Sequence, residues 1–216
     1  MKTALLLANG VWEGDRDYFH RLREKADTLV CADGGADYAL KLGLQPDRIF
    51  GDLDSIDYNV KDKYEKLGIE FVLFPVEKDK TDTHLVIDYL IEEGFEEIII
   101  GGALGGRPDH LMANQILLNY AFENGVKARL ISPTLEIRVI EGEHLIEGHR
   151  GDTFSLIPVN SQSKGVTLEG FKYSLNNHLV KRESTLGISN IIVEDRARVE
   201  VKEGQAYIFI VSKSIV

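Results

Sequence analysis

Two short acidic segments, Gly51-Asp52-Leu53-Asp54-Ser55 and Lys78-Asp79-Lys80-Thr81-Asp82, bring together residue types suited to a hard cation and a phosphorylated substrate. Two ionised carboxylates about 4 Å apart repel by roughly 4 kcal/mol at an effective dielectric near 20, so a cluster of several calls for a cation among them. Oxygen donors without histidine or cysteine partners favour Mg²⁺, which bridges one or two carboxylates to the phosphates of a nucleotide. Glycines make a complementary set: Gly34, Gly35, Gly101, Gly102, Gly105 and Gly106 let backbone N–H groups approach phosphate oxygens. In Gly105-Gly106-Arg107-Pro108-Asp109-His110 a cation, an acid and an imidazole stand at a predicted helix start, where anions are favoured; Asn114 follows in the same helix. The chain has no G-x-x-x-x-G-K-[ST] and no G-x-G-x-x-G, so neither standard nucleotide motif supplies the phosphate site.

Singly, these segments have plainer readings. Asp33-Gly34-Gly35 alone is a tight turn, an isolated D-x-D is as readily a solvated loop, and Asp79 suits the cap of the helix after it. Their shared position in the fold joins them. Short β-prone runs alternate with segments of helical period up to about residue 132, the pattern of a parallel α/β sheet. Six strands are predicted: Thr3 to Ala8, Thr28 to Ala32, Arg48 to Phe50, Ile69 to Phe74, Glu97 to Gly101 and Lys127 to Ser132. Helices fall near Asp15 to Lys25, Ala36 to Leu42, Tyr58 to Leu67, Asp82 to Glu93 and Asp109 to Glu123. Every chemically rich segment directly follows a strand, and in a parallel sheet such loops emerge together at the carboxyl edge, where open α/β folds bind ligands.

After Pro133 the pattern becomes short alternating runs such as LEIRVI, TFSLIPV and AYIFIVS, broken by Gly, Asn and Pro. The expected organisation is α/β plus all-β: an N-terminal domain over 1–132, then a smaller antiparallel β-sandwich over 133–216. A net charge of -10 argues against a general nucleic-acid binder, which relies on clustered Lys and Arg. The lone Cys31 forms neither an intramolecular disulfide nor a zinc site and reads as a core residue, and Ala4 to Ala8 is too short for a signal core or membrane span. A cytoplasmic protein without membrane association is expected.

In order and spacing these segments, with Gly187-Ile188-Ser189-Asn190, resemble those of the thiamine pyrophosphokinase family over nearly the whole chain. The resemblance implies an N-terminal ATP-binding domain, a C-terminal thiamine-binding β domain, a homodimer, and transfer of a diphosphate from Mg-ATP to thiamine. It makes Asp52, Asp54, Asp79 and Asp82 the catalytic set, with Mg²⁺ on Asp52, Asp54 and Asp79. Asp33, Gly34, Lys80, Gly105, Arg107, Asp109, His110 and Asn114 become the ATP and phosphate contacts. Ser189 and Asn190, which otherwise look like polar residues opening a strand, become thiamine contacts; the aromatic that stacks on thiamine stays open. A Mg²⁺-dependent phosphohydrolase, a kinase acting on another alcohol, and a non-catalytic nucleotide or thiamine sensor are the alternatives.

Overall fold

The first apolar run forms β1 (Thr3–Leu7), and its five residues are all buried, as expected of a strand covered on both faces. A computed structural model describes residues 1–14, 16–52, 56–74 and 79–213. The chain divides into two compact units, Met1–Pro133 and Thr134–Val216.

In the first unit β1 is followed by α1 (Arg16–Glu24), β2 (Thr28–Ala32), α2 (Gly35–Leu42), β3 (Arg48–Gly51), α3 (Tyr58–Lys66) and β4 (Glu70–Leu73). Then come α4 (Asp82–Glu92), β5 (Glu97–Gly101), α5 (Pro108–Glu123) and β6 (Lys127–Ile131). All the strand pairs are parallel, in the order β6-β5-β1-β2-β3-β4. Alternation along the strands divides the core. Leu5, Leu7, Leu29, Cys31, Ile49 and Ile99 pack with Phe19 of α1, Ala36 and Ala39 of α2, and Val60 and Tyr64 of α3. Leu6, Val30, Phe50, Ile98 and Ile100 are equally buried, and the Phe50 ring lies 4.8 Å from that of Tyr89 on α4. Cys31 is fully buried, which pushes its thiol far above the ordinary range and leaves it an inert core residue.

The second unit has no helix among its described residues. It contains β7 (Leu135–Ile146), β8 (Thr153–Pro158), β9 (Gln162–Glu169), β10 (Leu175–Lys181), β11 (Asn190–Ile191) and β12 (Ala197–Val211). All its strand pairs are antiparallel. Along β12, pairing with β7 continues past an irregularity between Val201 and Ala206, while its other partner changes from β9 to β8. A strand that changes partner across a bulge turns the corner between two layers. Phe154, Leu156, Val166, Leu168, Val199 and Ile208 fill the space between them.

Candidate active site

At the carboxyl edge of the parallel sheet the chain reverses its direction of winding. From β1 it proceeds outward to β2, β3 and β4, then returns to β5 on the other side of β1 and continues to β6. The loops after β1 and β5 therefore diverge, and such a switch point leaves a crevice. A cavity of about 510 Å³ lies here. Its walls are Asn9 and Gly10 after β1, Asp33 after β2, Asp52 after β3, Thr81 to Thr83 at the start of α4, Gly105 to Arg107 after β5, and His110, Ala113 and Asn114 on α5.

Close backbone approach explains several of these residue types. Asp33 has a left-handed φ of 46°, and its N–H donates to the Phe50 carbonyl at 2.8 Å. Its carboxylate lies against Gly51, where φ is 147° and a Cβ would overlap Asp33 Oδ1. Only glycine suits both demands, and Asp52 follows directly. Gly35 opens α2 against the end of β1, where a Cβ would overlap the Leu7 carbonyl oxygen. Gly34 similarly sits against the Asn9 side chain.

On the opposite wall, Arg107 donates to both oxygens of Asp109, Nη2 to Oδ2 at 2.6 Å and Nε to Oδ1 at 3.2 Å. That hydrogen bonding, assisted by the charge of Arg107 and nearby backbone N–H groups against a smaller desolvation effect, lowers the Asp109 carboxyl to about 2. Arg107 lines the cavity and Asp109 does not, so the acid orients the cation. Asn114 donates to the Ala103 carbonyl at 3.0 Å and ties α5 to the loop after β5. His110 lies exposed on the cavity rim.

The structure corrects one expectation at the start of α4. Thr81, not Asp79, is the N-cap: its hydroxyl accepts from the His84 N–H at 3.3 Å, while Asp79 is exposed and is not part of the cavity wall. The threonine wins because it stands next to the first helical residue, with its oxygen over the third N–H. Lys80 is not on the cavity wall, and its ammonium meets Asp88 at 2.6 Å. Asp54 and Lys78 lie outside the described residues.

Among the described residues, Asp33, Asp52 and Asp82 are thus the carboxylates on the cavity wall. Among the described residues no group of three or more His, Cys, Asp or Glu has metal-holding geometry. The donor set is nonetheless all oxygen and suits Mg²⁺, which needs only one or two carboxylates when phosphates supply further ligands.

In the second unit a cavity of about 270 Å³ is lined by Leu168, Tyr173, Leu175, Thr185 to Ile188 and Asn190. Asn190 is only 2% exposed, and its amide is committed to the backbone. Oδ1 accepts from the N–H groups of Tyr173 and Ile191, both at 2.9 Å, and Nδ2 donates to the Tyr173 carbonyl at 2.7 Å. Ser189 is exposed with φ 57°, its N–H donates to Ser155 Oγ at 3.0 Å, and it is not on the cavity wall.

Residues 19–130 match the family model for the thiamin pyrophosphokinase catalytic domain, and residues 136–206 match that for the thiamin pyrophosphokinase vitamin B1 binding domain. The chain belongs to the thiamine pyrophosphokinase family. The thiamine pyrophosphokinase of Bacillus subtilis (strain 168) is 35% identical over 177 residues, 81% of this chain and 83% of its own. Thiamine pyrophosphokinase 1 of Oryza sativa subsp. japonica is 33% identical over 204 residues, 82% of this chain and 76% of its own. A crystal structure of thiamine pyrophosphokinase from Bacillus subtilis superposes with a TM-score of 0.88 at 31% identity, over 98% of this chain and 100% of that one.

Within this thiamine pyrophosphokinase-family chain, sequence reasoning missed Tyr173 and Thr83 as wall residues. Tyr173 carried only a weak signal, as the second aromatic after Gly170 in GFKYSL, two residues beyond the buried Phe171; in the structure it is 59% exposed on the rim of an apolar cavity. Thr83 has no sequence signal beyond its place in the first turn of α4.

Proposed function

We infer that this chain transfers the diphosphate of ATP to the hydroxyl of thiamine, giving thiamine diphosphate and AMP. The observation that carries this reading is the switch-point cavity itself. Asp52 and Asp82 stand on its walls with the Gly105-Gly106 backbone and Arg107, in a chain whose two parts match the family's catalytic and vitamin B1 binding regions.

The thiamine oxygen attacks the β-phosphorus, the bond from that phosphorus to the α-bridging oxygen breaks, and AMP leaves with the electron pair. One of Asp52, Asp54, Asp79 and Asp82 accepts the hydroxyl proton. Arg107, held by Asp109, and the backbone N–H groups of Gly105 and Gly106 stabilise the phosphate oxygens as charge shifts among them. Asp33, Gly34, His110 and Asn114 complete the nucleotide side. When bound, Mg²⁺ would supply positive charge at the phosphates, and Asp52, Asp54 and Asp79 are the residues that would hold it. Lys80 and Asp109 act at one remove from the phosphates.

In the second unit the exposed Tyr173 ring, with Lys172 Nζ 5.4 Å from its centroid on one face, offers a flat surface for stacking with the aromatic rings of thiamine, beside the apolar wall of Leu168, Leu175 and Ile188. Asn190 contributes by fixing the Tyr173 backbone, and Ser189 by the polar loop next to it. The protein is read as a cytoplasmic homodimer, and Leu145, Leu179, Leu186 and Ile188 expose apolar surface on this unit. Among the described residues no helix is long and apolar enough to cross a membrane.

The test incubates purified protein with ATP, Mg²⁺ and thiamine and resolves the products by chromatography. Equal amounts of AMP and thiamine diphosphate are expected, and Asp52→Asn should retain its circular dichroism while losing turnover by roughly a hundredfold or more. ADP in place of AMP would make the protein an ordinary kinase. Phosphate without a thiamine product would make it a hydrolase, and nucleotide binding without turnover a sensor.

A further inference from the structure

The starts of α4 and α5 both line the nucleotide cavity, with Thr81 to Thr83 from the first and His110, Ala113 and Asn114 from the second. Further along the same helices a polar cluster connects them. Lys80 Nζ donates to Asp88 Oδ2 at 2.6 Å, and the Tyr120 hydroxyl of α5 donates to Asp88 Oδ1 at 2.7 Å. His84 Nε2 lies 3.7 Å from Asp88 Oδ1, and its ring meets that of Tyr120 with centroids 4.8 Å apart. The Asp88 side chain is only 19% exposed.

We propose that Asp88 is a positioning residue: through Lys80 and Tyr120 it braces the segment bearing Asp79 and Asp82 against α5 and so sets the spacing of the cavity walls. The proposal rests on the nucleotide-binding reading above. The need for a brace is electrostatic. Asp79 and Asp82 flank Lys80 in the sequence, and like charges carried on one short segment repel, so a fixed cation between them favours a single arrangement of that segment. Lys80, between them in the sequence, is such a cation and is fixed by reaching forward to Asp88 on the helix that follows. Charge-assisted hydrogen bonds to both oxygens of a largely buried carboxylate have one good geometry, unlike an exposed ion pair. Partial burial pulls the Asp88 carboxyl upward, but the hydrogen bonds from Lys80 and Tyr120 outweigh it and hold the group below the usual range, in the charged form. Misplacing a reacting group by about 1 Å can cost a hundredfold in rate, so a contact well away from the phosphates can matter to turnover.

A lysine that touched the phosphates directly would make Asp88 dispensable, and a double-mutant cycle separates the two cases. Lys80→Met, Asp88→Asn and the double variant are compared with the unmodified protein by calorimetric binding of the magnesium complex of a non-hydrolysable ATP analogue, and by KM for ATP and for thiamine. Each single change should weaken analogue binding and raise KM for ATP by about tenfold, with KM for thiamine unchanged. The double variant should be no worse than the worse single, because both remove one link. Tyr120→Phe should shift the same quantities in the same direction by a smaller factor, and it carries the test if Asp88→Asn fails to fold. Unchanged binding in Asp88→Asn, or in Tyr120→Phe where that variant carries the test, overturns the brace, as do losses that multiply in the double variant or a loss confined to Lys80→Met. If the unmodified protein does not bind the analogue, the nucleotide reading falls and the brace with it. If it binds the analogue but makes no thiamine diphosphate, only the reaction is wrong and the cycle still decides the brace.

Discussion

Arg107 and Asp109 stand two residues apart at the mouth of the cavity, both more than 60% exposed, yet their two hydrogen bonds hold the guanidinium in one orientation. The folded carboxyl, at about 2, lies below its ordinary 3.8. The clamp therefore favours the folded state at pH above the ordinary value, and that contribution disappears as pH falls through about 2. A carbon-detected NMR titration should find the Asp109 midpoint near 2, and Arg107→Ala should return it towards 3.8. A midpoint unmoved by that substitution would assign the shift to the backbone N–H groups instead. The pairing itself was not visible in the sequence. Arg107 and Asp109 both read as phosphate-side residues there, and only side-chain geometry shows that one faces the cavity while the other holds it.

At the scale of elements, legibility followed the number of residues that carry a signal. Helix α4 was readable because Val86 and Leu90 recur at helical spacing, and both are buried. Its cap was not, since Asp79, Thr81 and Asp82 are all good capping types and one distance, Thr81 oxygen to the His84 N–H, decides among them. Strand β11 is only two residues long, too short for any periodicity, yet it places Asn190 against Tyr173. The bracket predicts that Asn190→Ala raises KM for thiamine by about tenfold while KM for ATP stays within twofold, because buried backbone groups of the Tyr173 turn lose their partners. Asn190→Asp keeps the acceptor and loses the donor, and should fall between the two. Equal increases for both substrates would point to general unfolding rather than a local role.

For the whole molecule, the homodimer reading expects sedimentation equilibrium to give twice the 24.2 kDa of the chain, and a mass of one chain at micromolar concentration would refute it. A parallel α/β region ahead of an antiparallel one is legible in the residue pattern alone. Strand and helix periods are local properties, repeated over many residues, and each loop rich in Asp or Gly follows a strand regardless of how the strands are ordered. The strand order, with β5 beside β1, was decided only by tertiary structure, and with it the crevice that gathers Asp33, Asp52, Asp82 and Arg107. Tertiary structure likewise turned Lys80 towards Asp88 and committed the Asn190 amide to Tyr173. A long or polar side chain has several partners within reach, and the choice among them depends on which neighbours the fold brings close and leaves unsatisfied, a quantity with no period along the chain.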